Sequence, residues 1–279
     1  MSLLDFDPDR EASAPVDAAS AIIVRDAEGG LQVFCVERSK KTRWLGGVIV
    51  FPGGKVDAAD HDPAFAELSS TAAVGPLALA VAAARESLEE AAIFPGSVDH
   101  ARALALRQAL ASGTPLLDLL RRESIALDAG SLVPFGRWVT PTAEKRRFDA
   151  RFYLLALPEG QEGLHDDGET VSSFWARPEE ILGRFARGEV QLVPPTHRTL
   201  EILSSARTVT EALALAAAAD KTPVCPRLVR HPGPNGDTMA LALPGDPEHT
   251  DAEVRVPGLS RYVLRDERWL PEAPPAKDS

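Results

Sequence analysis

Three carboxylates share one helical face in the run Arg85-Glu86-Ser87-Leu88-Glu89-Glu90, because Glu86, Glu89 and Glu90 stand at i, i+3 and i+4. Like charges at that spacing repel and weaken a bare helix. A bound divalent cation reverses the sign, since hard cations take carboxylate oxygens as ligands. The run points to a magnesium-type site built on a helix. Glu86 and Glu90, one turn apart, are the expected direct ligands, and Glu89 is a third ligand or a base. Alone, such a run reads as a solvated acidic face. The segment upstream tips the balance. In Phe51-Pro52-Gly53-Gly54-Lys55-Val56-Asp57-Ala58-Ala59-Asp60 two adjacent glycines let the backbone approach a metal or phosphate with no Cβ in the way.

Cations gather around the same segment. Arg38, Arg43 and Lys55 precede or enter the glycine loop. Arginine forks bind phosphate oxygens in pairs, so these side chains and Gly54 are candidates for holding a phosphorylated substrate. The competing reading is surface charge at strand ends. A second basic cluster, Lys145-Arg146-Arg147, precedes a later strand. It suits a further phosphate and equally suits a solvated loop.

A glycine loop followed by a helix carrying Arg-Glu and Glu-Glu resembles the Nudix box, the signature of the Nudix hydrolases. Gly54 takes the first glycine place, Asp60 stands where a glutamate is expected, and Arg85, Glu86, Glu89, Glu90 and Ile93 match the remainder. The chain departs from the pattern in three places. Residues 61 to 84 put 24 residues where the common box has seven. Ser87 replaces an apolar residue. Ala92 replaces the glycine that closes the helix, and Pro95-Gly96 is expected to supply the stop a little later.

The stretch from Arg38 to Gly54 resembles the motif that precedes the box in coenzyme A diphosphatases, through Arg38, Ser39, Arg43, Gly47, Phe51, Pro52, Gly53 and Gly54. The long insertion, Trp138-Val139-Thr140-Pro141 and Arg147-Phe148-Asp149-Ala150-Arg151-Phe152 resemble the peroxisomal branch of that group. The likeness spans roughly residues 18 to 200. It implies pyrophosphate hydrolysis with Mg2+ or Mn2+, and coenzyme A or acyl-CoA as substrate. It also implies the Gly53 carbonyl as a further metal ligand and Arg85 as the group that orients the acids. An additional acid, Glu169 first and Glu144 after it, would be a base or ligand. A 3′-phosphate on coenzyme A would suit Arg146 and Arg147. Two rivals stand beside this reading: an ADP-ribose or NADH-type pyrophosphatase, and a non-catalytic nucleotide sensor. A sensor would be expected to lose the acidic triplet, which is whole here.

Composition limits the alternatives. A chain of 279 residues can bury a full core, and its net charge of −11 argues against broad nucleic-acid binding. Cys35 and Cys225 have no metal-ligand spacing, and Cys35 reads as a buried thiol. The six histidines form no paired metal pattern, and His197 reads as a helix-start residue. No signal peptide, membrane-length apolar run or Ser-Lys-Leu ending is present, so a cytoplasmic enzyme with a small nucleotide substrate and no membrane partner is expected, a homodimer being one option for its assembly.

The order of elements predicts an α/β/α sandwich with a mixed sheet. Residues 1–16 read as a flexible lead and 17–206 as the catalytic domain, with insertions at 61–84 and 97–123. Residues 207–270 read as a helical linker with a small β extension, and 271–279 as a disordered tail. Helix is expected over 76–91 with Ala80, Ala84 and Leu88 as its apolar stripe, over two segments split near Gly113-Thr114-Pro115, from Pro178, and through 196–219.

Overall fold

The computed structural model describes residues 11–38, 47–165, 170–233 and 236–275. Strands β1 (Val16–Ala27) and β2 (Gly30–Arg38) form a hairpin in register Val24↔Val33 to Ala27↔Gly30. Gly29 (φ 91°) and Gly30 (φ 121°) make its turn in the left-handed region that glycine enters without cost. Side chains alternate between two cores. Ala19, Ala21, Ile23, Phe34 and Val36 enter one; Ile22, Val24, Leu31, Val33 and Cys35 enter the other. A sheet covered on both faces explains why these segments read as nearly continuous apolar runs.

Past Val24 and Val33 the two strands part. Strand β3 (Val48–Val50) pairs with β2 through Val36↔Val50, and β4 (Gly53–Lys55) pairs with β1 through Ser20↔Gly53 and Ala19↔Gly54. The Phe51-Pro52 bend crosses from one parted strand to the other. Gly53 and Gly54 are therefore pinned in a short strand rather than in the loop that the sequence suggested. Two 3-10 turns and β5 (Ser69–Thr71) then lead to α1 (Leu77–Ala91).

Helices α1, α2 (His100–Ala111) and α3 (Leu116–Glu123) cover one sheet face. Strand β6 (Leu127–Asp128) pairs with β5, and β7 (Val133–Val139), β8 (Phe148–Ala156) and β9 (Thr170–Ala176) return to the main sheet. Helix α4 (Pro178–Ala186), β10 (Gln191–Leu192), α5 (Pro194–Leu203) and α6 (Val209–Ala218) follow, with the helices on the opposite face. The main sheet runs β10-β3-β2-β1-β8-β7, with β4 on β1 and β9 on β2, and β1–β8 is parallel. This is the expected mixed sheet between helical layers. A second antiparallel sheet, β11 (Arg227–His231), β12 (Thr238–Ala242), β13 (Arg261–Arg265) and β14 (Arg268–Glu272), contributes Leu241, Tyr262 and Trp269 to the core under α4–α6, joined by Leu243 just after β12.

Several boundaries differ from the sequence reading. Helix α1 already occupies residues 77–84, so part of the stretch counted as insertion is helix. Pro76 and Pro115 each sit one residue before the first helical residue. The segment 196–219 is two helices, because the Thr208 hydroxyl accepts the Glu211 amide and starts a new one. Ser/Thr followed three residues later by an acid is a helix-start signal, and Thr208 with Glu211 carried it. Helix α1 stops at Ala92 (φ 52°), not at Pro95-Gly96. Ala92 takes the left-handed position usually given to glycine, its amide bonding Leu88 O while the Ile93 amide bonds Ser87 O. The Ser87 hydroxyl donates to Ile93 O at 2.9 Å, which locks that turn and explains a polar residue in an apolar place.

No helix among the described residues is long and apolar enough to cross a membrane. Cys35 is buried, and burial pushes its thiol well above the ordinary range; Cys225 is half-buried.

The inner face of α1 holds the helix on the sheet. Leu88→Ala, which empties a fully buried site, should cost about 2–5 kcal/mol in denaturant unfolding. A loss below about 1 kcal/mol would contradict that packing.

Candidate active site

Helix α1 is buried almost all round from Leu79 to Ala84, and only its last two turns present charge. Ala80, Ala84 and Leu88 face the core as expected. Because side chains at i and i+4 lie above one another, Glu86 and Glu90 project along one line toward β4.

The glycines of β4 make room for them. A Cβ on Gly54 would overlap the Glu86 carboxylate, and one on Gly53 would overlap Ser20 of β1. The Gly53 amide donates to Glu90 Oε2 at 3.0 Å. Arg38, at the end of β2, brings Nη1 to 3.7 Å from Glu90 Oε1. The parted strands thus deliver a backbone amide and a guanidinium to the same acid.

Arg85 is the hub of the arrangement. Its Nε and Nη2 donate to the two oxygens of buried Asp60, each at 3.0 Å, and Nη2 also donates to Lys55 O at 2.8 Å. Its Nη1 donates to Glu86 Oε1 at 2.7 Å and Glu89 Oε2 at 3.1 Å. Asp57 lies 3.7 Å away. Asp60 in turn accepts the Asp57 amide at 2.8 Å. Burial alone would lower the Arg85 guanidinium. Asp60, Glu86 and Glu89 outweigh it and hold the group above its ordinary value.

The acids are crowded. Burial pushes the Glu86 carboxyl up to about 7; Arg85 pulls it back, and the charges of Glu89 and Asp60 add to the rise. Glu89 is also raised, by burial first, with Asp57 and Asp60 adding to it against Arg85. The side chain of Glu89 is 37% exposed against 12% for Glu86 and 9% for Glu90, so the triplet divides into two enclosed acids and one open to water.

Among the described residues no three acidic, imidazole or thiol side chains converge as a ready-made metal cage. Glu86 and Glu89 share Arg85, while Glu90 turns to the glycine strand. This still fits a small hard cation. Mg2+ is usually held by one or two carboxylates, with waters and substrate phosphates completing the shell. A carboxyl held near 7 by burial and neighbouring anions is the sort of group whose charge such a cation would stabilise.

The other expected residues fall as follows. Arg43 and Glu169 lie outside the described residues. Lys55 meets Arg85 through its carbonyl, and its side chain is exposed. Arg147 is tied to backbone, Nη1 to Ser13 O at 2.5 Å and Nε to Thr140 O at 3.1 Å, whereas Arg146 is exposed. Glu144 is buried and accepts the Lys145 amide at 2.9 Å, so it braces its own turn. His197, in the first turn of α5, meets the Tyr262 hydroxyl at 3.0 Å in the core, consistent with a structural role. The sequence reading placed Asp60 in the box without seeing its partner. The signal was an acid that would have to be buried opposite an arginine.

Comparison with known proteins follows the same lines. Residues 69–203 match the family model of the NUDT19 Nudix domain. The acyl-coenzyme A diphosphatase NUDT19 of Gallus gallus is 25% identical over 246 residues, covering 64% of this chain and 65% of that relative's own length. The crystal structure of a Nudix hydrolase from Alicyclobacillus acidocaldarius superposes with a TM-score of 0.62 at 29% identity, covering 72% of this chain and 96% of that one.

Two outcomes follow from the geometry. Asp60→Ala strips a buried guanidinium of its main partner and should cost about 3 kcal/mol in equilibrium unfolding; a loss within about 0.5 kcal/mol would show that Arg85 does not depend on it. Glu86 goes from about 7 in the folded chain to the ordinary 4.5 when unfolded. In metal-free protein its contribution therefore falls as pH rises from about 4.5 to 7 and is flat above that. Glu86→Gln should be more stable than the parent by ~3 kcal/mol at pH 8 and nearly equal at pH 4. Melting curves in a chelator check this, and a difference independent of pH would contradict it.

Proposed function

We propose that this chain, which belongs to the Nudix hydrolase family, hydrolyses the pyrophosphate bond of a nucleoside diphosphate linked to another moiety. Coenzyme A or an acyl-CoA is the substrate we favour, cut to 3′,5′-ADP and (acyl-)phosphopantetheine. The observation that carries the reading is the set of acids gathered by Arg85 against the double-glycine strand. The likeness to an acyl-CoA diphosphatase supports the choice of substrate.

Glu86 and Glu90 are the enclosed acids and would hold Mg2+ or Mn2+, with the Gly53 carbonyl as a further donor. When bound, the ion would polarise phosphoryl oxygens and acidify water. The remaining work falls to the chain. Arg85 keeps Glu86 and Glu89 together and favours their charged forms against burial. Glu89, open to solvent and raised above its ordinary value by burial, is placed to accept a proton, a role for which Glu169 is the other candidate. Gly54 lacks a side chain and so leaves Glu86 its space. Arg38 and Arg43 would bind the diphosphate, with Lys55 at the rim. Arg146, exposed beside the better anchored Arg147, would meet a 3′-phosphate. The cytosol is the compartment we propose.

Glu90→Gln keeps the size of the side chain and removes its charge. Metal-dependent turnover should fall at least about a hundredfold while the unfolding midpoint stays within a few degrees. Assayed side by side, coenzyme A should be cleaved faster than ADP-ribose or NADH, with 3′,5′-ADP identified by mass. Preference for ADP-ribose or NADH would move the substrate within the same chemistry. Nucleotide binding without any phosphate-bond cleavage would overturn the enzymatic reading.

A further inference from the structure

The outer edge of β9 and the adjoining face of α4 frame a groove of about 480 Å3, lined by Phe174, Trp175, Glu179, Gly183, Arg184 and Arg187 among others. Among the described residues β9 pairs with β2 alone, so its second edge carries backbone donors and acceptors without a ladder partner. Proteins usually blunt such an edge with Lys, Pro or other charge. The segment Thr170–Ala176 has none of these and reads Thr-Val-Ser-Ser-Phe-Trp-Ala.

Helix α4 adds a charge pattern that selects the occupant. Glu179, Gly183 and Arg187 stand at i, i+4 and i+8, one stripe on the groove side. Four of the charges around Gly183 run in opposite order, Arg177 and Glu179 before it and Arg187 and Glu189 after it, at equal distances on either side, while Glu180 and Arg184 of the same groove have no mirror counterpart; within the chain Arg177 is bonded to Glu180 and Arg187 to Glu189. A two-fold axis through Gly183 therefore brings Glu179 opposite Arg187, and Arg177 opposite Glu189, twice over. All four side chains are well exposed, from 37% for Arg177 to 61% for Arg187. Gly183 itself weakens the helix by about 1 kcal/mol relative to alanine. Among the described residues nothing explains it, since a Cβ there would meet only Arg187 Nη1, at 3.3 Å. A glycine at a helix crossing lets two backbones approach closely.

We propose that this face docks a second copy of the chain. The β9 strands lie antiparallel and continue the sheet from one protomer to its partner, and the two α4 helices cross at Gly183. A closed two-fold interface uses the same patch on both copies, which the reversed charge order satisfies and an unrelated peptide strand would leave unused.

Sedimentation velocity over a wide concentration range tests this. The parent chain should dimerise, and Glu179→Arg or Arg187→Glu alone should weaken the dimer at least about tenfold by setting like charges across the axis. The double reversal should recover most of that loss, because each pair is restored with its sign exchanged. Gly183→Cys, in a Cys225→Ser background, should form a disulfide between copies under mild oxidation. A parent chain that stays monomeric throughout overturns the proposal. So do single reversals without effect, or a double reversal no better than the singles.

Discussion

One guanidinium holds the centre of this molecule together. Arg85 is enclosed by four acids, Asp57, Asp60, Glu86 and Glu89, and by a strand carbonyl. Removing an arginine from water is costly unless its donors are met, and here Nε and both terminal nitrogens are engaged. The same bonds tie three pieces of chain distant in sequence: the turn at 57–60, strand β4 and the end of α1. Buried acids that repel one another are kept in place because one cation serves them all. The result is a cluster of carboxylate oxygens at a sheet edge, held without a full cage.

The sheet makes that cluster accessible. If β1 and β2 stayed paired along their length, there would be no place for β4. Their separation admits the glycine strand, and its missing side chains leave room for Glu86 on one side and Ser20 on the other. The helical layers, each with its own apolar core, keep the parted strands from collapsing. The candidate site is thus an edge feature of the fold, set where the two central strands part.

Much of this was legible in the residues. Acids at i, i+3 and i+4 after a double glycine marked out the helix and its apolar stripe, and pointed to the candidate site. Alternating apolar strands with helices between them identified the layered architecture. What escaped depends on contacts between remote segments. The pairing of Gly53 with Ser20 follows from how far β1 and β2 diverge, which no local pattern encodes. Ser87 reads as a defect until its hydroxyl is seen bonding Ile93 O. Ala92 lacks the glycine signature, and the turn closes because surrounding bonds outweigh an unfavourable φ. The break between α5 and α6 was written in Thr208 and Glu211 but masked by the alanine-rich run after it.

The central claim is that the acids on the last turns of α1 are arranged for a divalent ion. Anomalous diffraction from crystals soaked in Mn2+ tests it most directly. The account predicts a peak within ligand distance, roughly 2.0–2.3 Å, of oxygens from Glu86 and Glu90 beside the glycine strand. Well-ordered carboxylates at that place with no anomalous peak, at manganese concentrations that label other sites, would contradict it.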